Sequence, residues 1–280
     1  MSDRPPVPKT TRQQNAPAKV VISGATGRMG QTLAALIETS AEWELVGGID
    51  RDAFSGGAAE AHGFSSIVTA QDADRVIRAA DVVLDFSAPE GLANLLARQT
   101  QNLAGKVLVV GTTGLSPDGL AALERSAQHS AVMLSANYSV GVNLMLDLVA
   151  NAARVLPAHG FDVEIVETHH RHKADAPSGT ALLLGKVIAE ARGMALEPAR
   201  RDGRSGKTGE RAQGEIAFHA LRGGEVVGEH RVLFLGAHQR FEIAHAAADR
   251  GLFAEGALLA ARWLMGKPPG RYTMKDVLGL

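Results

Sequence analysis

The 280-residue chain contains no cysteine, which excludes disulfides, thiolate metal sites and any cysteine nucleophile. Aromatic residues are scarce at 4%, leaving few platforms on which nucleic-acid bases could stack. Charge of either sign is not in excess: the formal net charge is −1, so no overall field would draw in nucleic acid or an anionic membrane. Any anion recognition must come from a local cluster. Long apolar runs are missing too; stretches such as Val107 to Val110 fall far short of the roughly 20 residues that span a bilayer. Residues 1–18 are polar, rich in Pro, Thr and Gln, and lack the apolar core of a signal peptide. They read as a disordered leader, and the expectation is a soluble, cytoplasmic protein.

What is present is a hydrophobic fraction of 45%, ordinary for a packed globular chain, arranged with a clear grammar. Val20-Val21-Ile22, Met29 to Ile37 and Leu45 to Ile49 read as strand, helix, strand, the βαβ unit of a parallel sheet. Val82 to Phe86, Pro89 to Gln99, Val107 to Val110, Pro117 to His129 and Val132 to Leu134 continue the alternation. The expected class is α/β, with a Rossmann-like doubly wound parallel sheet. After about Asn137 the pattern changes. A helix over Val142 to Leu156, a strand over Asp162 to Thr168, a helix over Thr180 to Arg192 and a loop over Arg200 to Gly214 precede three alternating segments, Glu215 to Leu221, Val226 to Leu235 and Arg240 to Ala246. The three read as an antiparallel sheet. An amphipathic helix, Phe253 to Met265, follows. A smaller α+β unit with a mixed, mostly antiparallel sheet is therefore expected over 139–248. Residues 19–138 are assigned to the dinucleotide-binding unit.

The first strand runs into Gly24-Ala25-Thr26-Gly27-Arg28-Met29-Gly30 and then a helix. Such a turn lets backbone N–H groups approach a pyrophosphate at the positive end of the helix. Thr26 occupies the middle position of the usual glycine pattern. Asp50, about twenty residues on, ends the second strand where a carboxylate would accept the adenosine ribose hydroxyls, and Arg51 beside it suits a 2′-phosphate. NADH, NADPH or both are thus the expected cofactors. A P-loop is excluded because no Lys follows the second glycine, and Tyr272 and Lys275 are misplaced for a short-chain dehydrogenase pair. Gly111-Thr112-Thr113-Gly114 and Ser135-Ala136-Asn137-Tyr138 each leave the carboxyl end of a strand, where ligands of such sheets bind. Both are expected to wall the cofactor site.

The densest chemistry is His169-His170-Arg171-His172-Lys173, followed by Asp175-Ala176-Pro177-Ser178-Gly179-Thr180 and a helix. Five successive potential cations call for an anion, and Ser178-Gly179-Thr180 at a helix start offers free N–H groups, a hydroxyl and a dipole to a carboxylate. A histidine here can donate a proton near neutral pH, and a lysine can fix a carboxylate or assist. Metal binding by His169, His170 and His172 is disfavoured by their spacing and the neighbouring cations, and none is expected.

With these motifs in place, the chain resembles the 4-hydroxy-tetrahydrodipicolinate (dihydrodipicolinate) reductases of lysine biosynthesis. The resemblance covers nearly everything after the leader, through Gly24 to Gly30, Asp85-Phe86-Ser87, Gly111 to Gly114, Asn137 to Asn143, Glu167 to Leu182, Gly206 to Arg211 and Gly228-Glu229-His230. It implies hydride transfer from NADH or NADPH to a cyclic dicarboxylate imine. It also implies His169 as proton donor with Lys173 as its partner, and His170, Gly179 and Thr180 as substrate-binding positions. A homotetramer assembled through the second unit's sheet is implied as well, with the last helix returning to the first unit, so that the dinucleotide-binding unit comprises 19–138 with 249–280. Asp50 stands where many relatives have Glu, and Tyr138 where others have Phe. A reductase of another small carboxylate imine, or a nicotinamide-sensing regulator, remain the alternatives.

Overall fold

The computed structural model describes residues 16–280. The leader expectation lies outside the described residues except at its end, where Ala18 already opens the first strand and pairs with Trp43. In chain order the first half runs β1 (Ala18–Ser23), α1 (Arg28–Glu38), β2 (Trp43–Ile49), β3 (Phe54–Ser55), α2 (Gly57–Glu60), β4 (Ser66–Val68), α3 (Asp74–Ala79), β5 (Val82–Asp85), α4 (Pro89–Leu103), β6 (Val107–Val110), α5 (Pro117–Ala127) and β7 (Ala131–Leu134). The second half runs α6 (Val140–Val155), β8 (Phe161–His169), α7 (Gly179–Ala191), α8 (Leu196–Ala199), β9 (Arg200–Asp202), β10 (Ile216–Arg222), β11 (Gly228–Gly236), β12 (Arg240–Ala247), α9 (Gly251–Leu264), β13 (Gly270–Tyr272) and α10 (Met274–Leu278).

The first sheet has eight strands in the order β13-β7-β6-β5-β1-β2-β4-β3. All neighbours are parallel except β3 and β4. Its central strands are apolar without alternation because both faces are covered. On one face α1 and α9 bury Leu33, Ile37, Ala257, Ala261 and Leu264 against Val20, Leu84 and Val109. On the other, α3, α4 and α5 bury Ile77, Leu95 and Leu123 against Val21, Val83 and Leu108. β13 comes from the far end of the chain and joins the edge beside β7.

The second sheet has five strands in the order β12-β11-β8-β10-β9. This corrects the sequence-based expectation of one antiparallel meander over 215–246. β10 runs parallel to β8 while β11 runs antiparallel to it, so β8 lies between them. Alternation alone reports which residues share a face, not which strand is the neighbour. The expected loop over 200–214 also opens as a strand, β9, parallel to β10. Beyond it Arg204 and Arg211 tie the loop to Glu164 on β8, and Arg211 also donates to the carbonyls of Val163 and Glu215. α6 and α7 cover one face, over Val163, Ile165, Phe218, Val232 and Phe234. Among the described residues no helix covers the other face, where Leu221 is 50% exposed. No described helix is long and apolar enough to cross a membrane.

Candidate active site

β1 ends at Ser23, and the turn that follows is built on close approach. Gly24 adopts φ +81°, and a Cβ there would lie 2.6 Å from the Phe86 carbonyl oxygen. A Cβ on Gly30 would collide with the carbonyls of Gly24 and Ala25, so α1 can seat on the turn only without a side chain at that point. Gly27 is the N-cap of α1 and provides no side-chain cap, unlike Ser116, Ser139, Ser178 and Thr273 on α5, α6, α7 and α10. The first-turn N–H groups of Arg28, Met29 and Gly30 therefore have neither an intrahelical acceptor nor a side-chain cap. That donor set fits a pyrophosphate.

Thr26 explains its own departure from the glycine pattern. Its N–H and its hydroxyl both donate to Asp50 Oδ2 at 2.8 Å, while the Arg51 N–H donates to Oδ1 at 2.8 Å. Burial raises the Asp50 pKa, but these hydrogen bonds outweigh it and hold the carboxyl below its usual range. Arg51 itself is exposed.

Gly111 and Thr112 follow β6, and the Thr112 hydroxyl donates to Asp85 Oδ1 at 2.5 Å. Asp85 is fully buried at the end of β5 and also accepts from the Ser87 hydroxyl. Burial pushes its pKa up. Thr113 is exposed beyond it. Ser135 N–H donates to the Val110 carbonyl, and the Ser135 hydroxyl and Asn137 backbone close a small turn, with Ala136 exposed at its tip. The Tyr138 side chain is buried, with its hydroxyl donating to the Val110 carbonyl at 2.8 Å and its ring 5.7 Å from that of Phe86; a buried phenol hydroxyl needs such an internal acceptor. Asn137 reaches across to the second unit, 3.4 Å from the Thr180 hydroxyl.

The histidine/lysine run lies at the end of β8. Residues 163, 165, 167 and 169 share the inner face, so Glu167 and His169 project together under the N-terminus of α7. His169 Nδ1 lies 2.5 Å from Glu167 Oε2. Arg222, at the end of β10, donates to both Glu167 oxygens at 2.7 and 2.8 Å, and the Ser178 N–H donates to Oε1 at 3.0 Å. Burial raises the Glu167 pKa, yet Arg222 and His169 bring it below the usual carboxylate range. Burial lowers that of His169, reinforced by Lys173 and Arg222 and opposed by Glu167.

Ser178 caps α7 through the Ala181 N–H and lies 3.1 Å from His230 Nε2. Gly179 and Thr180 form the first turn of α7. Burial drives the His230 pKa down to about 4, so this ring is neutral. Lys173 pairs with Asp175 at 2.8 Å, and His172 lies 3.7 Å from Glu225. The expectation that the whole cationic run needs an external anion is thereby corrected: Glu167, Asp175 and Glu225 supply part of the opposing charge from within the chain. His170 stands apart from His169. It lines a cavity of about 400 Å³ with Arg28 and Thr32 of α1 and with Val227, Asp249 and Arg250, between the two units. A cavity of about 470 Å³ at the opposite end of β8, beside Asp162 and Arg211, contains none of these groups.

Sequence reasoning missed Glu167, Arg222, His230 and Asp85 as working parts. Glu167 did carry a signal, since an acid on the buried register of a strand, two residues before a histidine, demands a partner. Arg222 carried none: its contact spans 55 residues.

Known proteins resemble this arrangement along nearly the whole chain. The family described as "Dihydrodipicolinate reductase, N-terminus" matches residues 18–138, and "Dihydrodipicolinate reductase, C-terminus" matches residues 141–278. The 4-hydroxy-tetrahydrodipicolinate reductase of Ruegeria pomeroyi is 44% identical, over 93% of this chain and 98% of its own. That of Anaeromyxobacter dehalogenans is 46% identical, over 94% and 98%. Among solved structures, a dipicolinate-bound dihydrodipicolinate reductase from Paenisporosarcina sp. TG-14 superposes with a TM-score of 0.71 at 25% identity, covering 93% of this chain and 98% of that one.

Proposed function

The chain belongs to the dihydrodipicolinate reductase family, and from that premise we propose that it reduces 4-hydroxy-tetrahydrodipicolinate with NADH or NADPH in lysine biosynthesis. The observation that carries the reading is the buried His169 held on Glu167, beneath a helix start offering Ser178, Gly179 and Thr180. When bound, the reduced nicotinamide supplies a hydride. The first-turn N–H groups of α1 would hold its pyrophosphate, Asp50 its ribose hydroxyls and Arg51 a 2′-phosphate, with Gly111, Thr112, Thr113, Ser135, Ala136 and Asn137 along the strand ends.

His169 in its charged form holds a proton at Nε2, the nitrogen left free by Glu167, and this proton balances the hydride on the reduced ring. Proton donation by a positioned side chain is worth about 10²–10⁴ in rate. The N–H groups of α7 and its dipole neutralise one carboxylate of a small dicarboxylate. Lys173 attracts the other and assists the acid, and His170 reaches the same substrate from the cavity wall. Residues 19–138 with 249–280 serve the cofactor, and 139–248 serve substrate and assembly. The uncovered face of the second sheet supports a homotetramer.

The test is loss of nicotinamide absorbance with freshly generated substrate, run with NADH and NADPH in parallel. Rapid oxidation is expected; cofactor binding without oxidation would overturn the reading in favour of another substrate or a sensor. Light scattering should return four times the 29.3 kDa chain mass.

A further inference from the structure

Glu167 is fully buried, with a side-chain exposure of 0%, and four donors point at it: His169 Nδ1, the Ser178 N–H and both terminal nitrogens of Arg222. Four donors match the lone pairs of an ionised carboxylate, and a proton on either oxygen would face one of them. Glu167 is therefore an acceptor only, so His169 Nδ1 carries hydrogen whether the ring is charged or neutral. All acid–base change falls on Nε2. Beside Nε2 stands a residue without a side chain: a methyl group on Gly228, the first residue of β11, would sit 3.0 Å from it.

Other elements also face the ring. His230 on β11 meets it edge-on at 5.2 Å between centroids, with His245 beyond it on β12. Arg222 comes from the end of β10, Lys173 with its partner Asp175 from the following loop, and the positive end of α7 from Ser178. Arg222, Lys173 and the helix end disfavour the imidazolium, and His230 adds no negative charge. Among the described residues Glu167 is the one carboxylate hydrogen-bonded to the ring.

We infer that the Glu167–Arg222 pair is a positioning device for the acid: it fixes the tautomer of His169 and sets the pH at which Nε2 gives up its proton, Glu167 raising that pH and Arg222 lowering it. Arg222 also donates to the Asp175 carbonyl, so the device joins the acid, the Lys173 loop and the α7 cradle. The inference rests on His169 being the acid of the proposed reaction. Its direction is not that of a purely structural ion pair. Deleting either half of a structural pair disturbs the ring alike, whereas here the two deletions act with opposite sign.

The test uses the full-length protein labelled with ¹⁵N-histidine and titrated by NMR without substrate, alongside pH profiles of kcat/KM. Glu167→Gln should let the neutral His169 ring exchange tautomers and should lower its pKa by about one unit or more, because the favourable charge is lost. The alkaline fall of activity moves down in pH with it, and activity at pH 7.5 drops at least about tenfold. Arg222→Gln should move both readouts upward. Arg222→Lys keeps the charge and should stay near wild type in pH while losing part of the turnover. Equal-sign shifts, or an unchanged ring in Arg222→Gln, would overturn the inference. If Glu167→Gln does not fold, the contrast between Arg222→Gln and Arg222→Lys decides. Opposite ring shifts in a protein that never turns over substrate would sustain the device and sink the reductase reading instead.

Discussion

The two halves of the cleft are made by opposite means. At the end of the first sheet the chain omits side chains: Gly24 and Gly30 let backbone meet backbone, and the ligand-facing chemistry is an uncapped row of N–H groups. At the end of the second sheet it packs charges: Glu167 is enclosed by Arg222, His169 and Ser178. The first construction fails when atoms are added. The second fails when atoms are taken away, because a buried charge is left without its partner. The contrast also separates binding from chemistry, since the first-turn N–H groups of α1 are backbone amides with no proton to give, while the proposed acid, His169, belongs to the second sheet.

Four substitutions test that contrast, in order of falling effect. His169→Gln should lower kcat by about 10²–10⁴ while the dissociation constant for NADH, read by fluorescence, stays at the wild-type value; a parallel loss of NADH binding would show that the halves are not separable.

His230→Gln should change the response of stability to acid. The neutral His230 ring titrates at about 4 in the fold against 6.5 when free, so below pH 6.5 the unfolded chain takes up a proton that the fold refuses. Stability is complete above pH 6.5 and declines as pH falls toward 4, by at most ~3 kcal/mol at ~1.4 kcal/mol per pH unit. Urea unfolding at pH 7, 5.5 and 4.5 should give a flatter trend in the variant. Glu167 and Glu164 are shifted below 4.5, so they lose their stabilising share only at lower pH.

Gly30→Ala should cost about 1–3 kcal/mol of stability, as overpacking does, and weaken NADH binding while leaving the ring titration of His169 untouched. A substitution that altered both would deny that the two constructions are independent. Thr26→Ala is the mildest. It removes the hydroxyl's bond to Asp50 Oδ2, worth roughly 1.5 kcal/mol to a charged group, while the Thr26 backbone N–H bond to the same oxygen stays, and should weaken NADH by about tenfold or less with kcat unchanged.

The same contrast explains what could be read in advance. The backbone half is local: Gly24, Gly27 and Gly30 stand within one turn, and Asp50 follows at the end of the next strand, so spacing alone located it. The alternating β-branched runs likewise revealed the parallel sheet, because a strand covered on both faces has to be apolar throughout. The charged half was visible only on one strand. His169, Lys173 and Ser178 fall close together in sequence, whereas Arg222 and His230 arrive from β10 and β11, and their neighbours are set by sheet order. That order was misjudged, as a five-residue link from Arg222 to Gly228 suggests a hairpin, yet the link passes over the end of β8. Gly223 N–H donates to the His169 carbonyl and Arg171 N–H to the Gly224 carbonyl. The burial of the Tyr138 ring was illegible for a related reason, since a motif reports position along the chain and not which way a ring turns.

The return of the chain to its first sheet bears on how the protein is made. β13 occupies residues 270–272 and α9 fills the core over β1, β5 and β6 with Ala254, Ala257, Ala260, Ala261 and Leu264. During synthesis the ribosome therefore releases the cofactor unit in two instalments, with the whole second unit between them. The second sheet, contiguous from β8 to β12, can close while the first still exposes one apolar face, so the nascent chain must keep that face from other chains until α9 and β13 emerge.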